Sequence, residues 1–153
     1  MINSSEYIYI DGRGDWWYEG NKIIHPEVLK LFKSSLESDP ETGELRIDYK
    51  GRQAPVKVEK TPFFVQDIAP DRDSAGALSR VELLVDDDSR EPLDPETLAI
   101  DADGVLTVRI KGGRFAALCL PTAHFRLAEL FEEDEKDGFS LTLAGRRYPV
   151  SVS

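Results

Sequence analysis

The chain has 153 residues, 41% hydrophobic and 31% charged, which is enough apolar material for a packed core and too much for a disordered chain. Nineteen lysines and arginines against 29 aspartates and glutamates leave a formal net charge of −10, so nucleic acid and anionic membranes are expected to be repelled. The single cysteine, Cys119, excludes an intramolecular disulfide framework, and no apolar run reaches the roughly 20 residues of a membrane-spanning helix.

Met1 to Glu6 has neither the basic start nor the apolar segment of a secretory signal, so a cytoplasmic location is expected. Tyr7 to Ile10 and Trp16 to Tyr18 are β-rich. Val28, Leu29, Leu31, Phe32 and Leu36 then recur at helical spacing behind Pro26, with Asp39-Pro40 through Gly43 as the stop. Leu45, Ile47 and Tyr49 alternate ahead of a tight turn at Gly51. Phe63 to Val65 and Val81 to Val85 read as strands around an exposed loop from Pro70 to Gly76, and Asp86 to Pro95 reads as a polar connector. Val105 to Ile110 and Phe115 to Leu120 are again β-rich. A second helix follows, capped by Thr122, with Leu127, Leu130 and Phe131 on its apolar stripe. The acidic run from Glu132 to Asp137 opposes the helix dipole, so that end is expected to fray. Phe139, Leu141 and Leu143 alternate into a turn at Gly145.

Two blocks repeat. His25 with Leu31-Phe32 is echoed by His124 with Leu130-Phe131 at a displacement of 99, and Gly51-Arg52 with Pro55-Val56-Lys57-Val58 is echoed by Gly145-Arg146 with Pro149-Val150-Ser151-Val152 at 94. The fold expected is α+β, two repeated strand–helix–β-hairpin units with mainly antiparallel sheet. The chain then forms one domain, 1–153, of two lobes: 1–66 the first repeat, 67–104 connecting strands and loops, and 105–153 the second repeat.

Trp17-Tyr18 leading to Ile23, Pro26 and Leu31-Phe32, then Val58-Glu59 with Pro62-Phe63, and Gly145 with Tyr148-Pro149-Val150, resemble the uncharacterised bacterial domain-of-unknown-function family 1285. The resemblance spans nearly the whole chain, in outline only from Asp71 to Asp101. It implies an α+β fold with a repeated motif, no established activity and a part in bacterial signalling, and it brings no functional residues with it.

Candidate chemistry is sparse. A thiol–imidazole pair of Cys119 and His124 would need hydrogen-bond reach and an orienting group, and the apolar run around Cys119 fits a buried small hydrophobe better. His25 and His124, read as equivalent helix-entry residues, are too few for a closed metal site, and hydrogen bonding to backbone is their expected role. Asp101-x-Asp103-Gly104 lacks the first and last ligands of a calcium loop and reads as a turn, as do Arg13-Gly14-Asp15 and Gly112-Gly113, while Asp86-Asp87-Asp88 reads as a solvated run. In Trp16-Trp17-Tyr18 adjacent side chains face opposite ways. Trp17 is expected in the core, leaving Trp16 partly exposed for an interface or groove.

Trp16, His25 and His124 are therefore the ligand or interface candidates, with no catalytic or metal residue and no cofactor assigned. The expected function is a non-enzymatic binding or regulatory module, whose partner is a protein, a second copy of the chain or a small molecule, with neither nucleic acid nor membrane. The alternatives are a small-ligand sensor with its site between the two repeats, and a hydrolase or transferase using His25, His124 or Cys119.

Overall fold

The computed structural model describes residues 7–134 and 138–152. Met1 to Glu6, which carry the reading against a signal segment, and Glu135 to Asp137 of the acidic run lie outside the described residues. Two compact units divide the chain, the first ending at Pro62 and the second beginning at Phe63, earlier than the boundary at residue 66 that the repeat suggests.

The first unit runs β1 (Ile8–Ile10), β2 (Trp16–Tyr18), β3 (Asn21–Lys22), α1 (Pro26–Ser34), β4 (Leu36–Ser38), β5 (Leu45–Tyr49) and β6 (Arg52–Val58). They form one sheet in the order β3-β2-β1-β6-β5-β4, antiparallel throughout except for the parallel pair β1–β6. Helix α1 stops earlier than its apolar spacing suggests. The hydroxyls of Ser34 and Ser35 both donate to the Leu31 carbonyl, and the chain leaves the helix so that Leu36 pairs with Ile47 as strand.

Pairing also decides which tryptophan is inside, and it reverses the expectation. Ile8 and Ile10 are buried, and across the antiparallel pair they face Tyr18 and Trp16, whose side chains share that face. Trp16 is therefore 0% exposed and stacks on Phe32 of α1 with ring centroids 6.4 Å apart, while Tyr18 emerges at the sheet margin. Trp17 lies on the other face, half-buried, its Nε1–H donating to Asp11 Oδ2 at 3.0 Å.

The second unit runs β7 (Phe63–Arg72), β8 (Leu78–Val85), β9 (Arg90–Pro92), β10 (Ala99–Ile100), β11 (Leu106–Ile110), β12 (Phe115–Cys119), α2 (Pro121–Ala128), β13 (Glu132–Glu133), β14 (Phe139–Leu143), β15 (Arg146–Pro149) and β16 (Ser151–Val152). Seven strands form a sheet in the order β16-β10-β11-β12-β7-β8-β9, and β13-β14-β15 form a second sheet. Residues 67–104 thus supply strands to the second unit's own sheet. The segment from Pro70 is strand as far as Arg72, because β12 pairs with β7 only over Phe63, Phe64 and Val65. Beyond Val65 that side of β7 has no ladder partner among the described residues, so the missing N–H of Pro70 costs nothing there. Asp86 to Pro95 likewise contains β9. Phe63 and Phe115 meet edge to face at 5.1 Å in the core, with Phe64, Leu83, Ile110 and Leu127 also buried.

The two units share an order of elements from β1 to β6 and from β10 to β16. Ile10 pairs with Trp16, and Ile100 with Leu106; β1 runs parallel to β6 and β10 parallel to β16. The turns between them are built alike. The Asp11 carboxylate accepts the N–H groups of Arg13 and Asp15, and that of Asp101 accepts those of Asp103 and Val105. Both hairpins turn through two residues of positive φ, Lys50-Gly51 at 51° and 78° and Ala144-Gly145 at 52° and 80°, the two-residue geometry that matches strand twist.

Candidate functional site

The histidine displacement of 99 is not the register of the helices. Each helix has proline at its first position, Pro26 in α1 and Pro121 in α2, with His25 the N-cap of the first and Leu120, not Thr122, the N-cap of the second. A proline loses no helix bond there, which outweighs the hydroxyl cap offered by Thr122. His25 is exposed and makes no capping hydrogen bond through its side chain. His124 is three residues inside α2 and half-buried. The two histidines therefore do not occupy equivalent positions, and they belong to different units.

His124 stands over a cleft of ≈ 210 Å³ that lies wholly within the second unit. Ile100 and Leu106, with Gly104 in the turn between them, form one side; His124 and Ala128 come from α2, and Phe131 and Phe139 complete the lining. His124 Nδ1 accepts the Leu106 N–H at 3.3 Å, which fixes the ring and leaves its proton on Nε2. No hydrogen bond to Nε2 occurs among the described residues. The imidazole meets Phe125 edge-on at 5.2 Å, and Phe125 is 65% exposed. Phe139 and Val152 add further exposed apolar surface, Val152 being the strand partner of Ile100.

A larger cleft of ≈ 340 Å³ in the first unit is lined by Asp39, Glu44, Arg46 and Gln53 beside Leu45, Ala54 and Pro55. Its polar groups are those of a hairpin surface, and the Asp39 carboxylate already stands near the Arg46 guanidinium. The smaller cleft has the apolar wall and single polar group that small-molecule sites share.

The other candidate residues have structural roles. Cys119 is buried in β12 opposite Val65, and burial pushes its thiol up to about 12, so it carries no thiolate at neutral pH. No hydrogen bond joins it to His124 among the described residues. A hydrolase or transferase mechanism through Cys119 thus lacks its nucleophile. Asp86 accepts the Phe64 N–H and Asp87 pairs with Lys111, so the acidic run is folded into the unit. No group of three or more His, Cys, Asp or Glu residues is placed to hold a metal ion among the described residues. No helix among them is long and apolar enough to cross a membrane.

These features define an α+β protein of two similar, mainly antiparallel sheet units. No protein-family model matches the sequence, and no curated protein matches it either. The structure is similar to that of a DUF1285 family protein from Silicibacter pomeroyi DSS-3, with a TM-score of 0.76 and 21% identity over 94% of this chain and 79% of that one. It is also similar to a DUF1285 family protein from Shewanella baltica OS155, with a TM-score of 0.64 and 17% identity over 83% of this chain and 94% of that one. At such identities the likeness is one of fold, and it agrees with the resemblance carried by Trp17-Tyr18, Pro26, Pro62-Phe63 and Tyr148-Pro149-Val150.

Proposed function

We propose that this chain is a non-enzymatic binding module, formed by internal duplication, whose second unit holds a small ligand in the cleft beneath α2. One observation carries the reading: a concave apolar surface whose described lining residues offer one oriented donor, the Nε2–H of His124, and no nucleophile. The module acts in the bacterial cytoplasm as a regulator, where occupancy of the cleft reports ligand concentration. The family resemblance, with its implied part in signalling, supports that setting, and the net charge of −10 disfavours nucleic acid as the partner.

A thermal-shift screen against amino acids, nucleotides, metal ions and small aromatic and aliphatic amines and alcohols tests this. A ligand at about 100 times its dissociation constant adds about 2.7 kcal/mol to the stability of the folded state, a shift of several degrees. Phe139→Asp, which puts a charge into the partly exposed lining, should abolish the shift while leaving the circular dichroism spectrum unchanged. Stabilisation that survives Phe139→Asp would place the ligand elsewhere.

A further inference from the structure

The shared register of the two units gives the cleft a counterpart in the first unit. Trp16 and Leu106 occupy the same place: each pairs with the isoleucine that precedes the aspartate turn, Ile10 in one case and Ile100 in the other. In the first unit the indole of Trp16 lies fully buried against Phe32, the seventh residue of α1. In the second unit Leu127 is the seventh residue of α2, and Leu106 supplies a much shorter side chain at the indole's place. Leu106 is one wall of the cleft, so the cleft borders the position that the tryptophan holds in the first unit.

We infer that the cleft accepts a planar aromatic ring carried by a small cation, an aromatic amine; this deepens the reading of the cleft as a binding site and rests on it. The ring follows from the Trp16 position and from His124, because a π face accepts an N–H where an alkyl chain offers nothing. The positive charge follows from the flanks. Glu129 caps α2 directly after the lining residue Ala128, and Glu132 and Glu133 follow Phe131. Glu133 is the strand partner of Phe139, which puts the two side chains on one face of β13–β14. All three glutamates are exposed, and none is paired with a lysine or arginine among the described residues. Among the described residues, the nearby cations Arg126 and Arg147 are engaged with Asp67 and Asp134. Acidic residues beside a helix C-terminus oppose its dipole, so folding alone does not favour this arrangement.

Titrating the full chain with tryptamine, indole, indole-3-acetate, hexylamine and a lysine-flanked tryptophan peptide, followed by calorimetry, tests the inference. Tryptamine should bind with a dissociation constant on the order of 0.1–1 mM. Indole should bind about tenfold more weakly, and indole-3-acetate not measurably. Glu129→Lys/Glu132→Lys/Glu133→Lys should weaken tryptamine about tenfold and leave indole unchanged. Leu106→Trp, which restores the first unit's residue, should abolish tryptamine binding without lowering the melting temperature. If overpacking unfolds that variant, Ala128→Trp closes the cleft from the half-exposed helix side and should do the same. Equal binding of indole-3-acetate and tryptamine would overturn the charge assignment. Tighter binding of the peptide than of tryptamine would overturn the free amine as occupant. Hexylamine binding that Leu106→Trp abolishes, with no indole bound, would overturn the aromatic assignment and leave the binding module standing. No binding by any probe would overturn both.

Discussion

Trp16→Ala should destabilise the chain by about 3–5 kcal/mol, whereas Trp16→Phe should cost only about 1–1.5 kcal/mol. Trp16 is 0% exposed and stacked on Phe32, so truncation to alanine removes a whole ring from a site walled by Ile10 and α1. Phenylalanine keeps a ring against Phe32. It also removes an N–H that has no acceptor, since Trp16 Nε1 is buried without a hydrogen-bond partner among the described residues. Urea denaturation followed by far-ultraviolet circular dichroism reads both variants without relying on indole fluorescence. If phenylalanine costs as much as alanine, the indole N–H is bonded and the stacking account of this position is wrong.

That prediction inverts what the Trp16-Trp17-Tyr18 run suggests by itself, and the reason is physical. Alternation says that neighbours in a strand face opposite ways but not which one faces inward. The choice was made by β1, whose Ile8 and Ile10 are inside and which imposes its parity across the ladder. Features governed by local chemistry were legible. The turns at Lys50-Gly51 and Ala144-Gly145 need positive φ at both residues, and the strand pairing around them keeps the displacement of 94 seen in the sequence. Helix register was legible in principle from Pro26 and Pro121, but the more eye-catching histidine and Leu-Phe matches gave 99 instead.

The cleft was hidden for a different reason. Its lining includes Leu106, whose likeness in position to Trp16 has no meaning until the two turns are aligned. The signal that aligns them was present, Ile-Asp-x-x-Gly at 10–14 and again at 100–104, a displacement of 90. It is polar and falls on a turn, outside the apolar stripes of the helices. Structure recovers it because both aspartates accept the same two backbone N–H groups.

Lys111→Met should cost about 2 kcal/mol at neutral pH, and most of that cost should vanish in acid. Lys111 Nζ lies 2.8 Å from Asp87 Oδ2, with side-chain exposures of 23% and 11%, and it also stands over the Phe63 ring at 5.1 Å. Methionine keeps the apolar contact and leaves the Asp87 carboxylate with Ser89 as its remaining side-chain donor. Removing one partner of a shielded pair leaves a charge short of compensation, which costs more than an exposed surface pair would; water reaching the lysine keeps the figure below that of a fully buried pair. Burial works against ionisation of Asp87, but hydrogen bonds from Lys111 and Ser89 outweigh it and hold the carboxyl below its ordinary value. A carboxylate depressed in the folded state contributes stability above its unfolded pKa of about 3.9, and that contribution is lost as pH falls through the lower folded value. The wild-type chain should therefore lose stability below about pH 4 more steeply than Lys111→Met, so that the two urea midpoints converge. Asp87→Asn should flatten the same limb. Parallel profiles for wild type and Lys111→Met down to pH 3 would show that the pair does not set this part of the acid response.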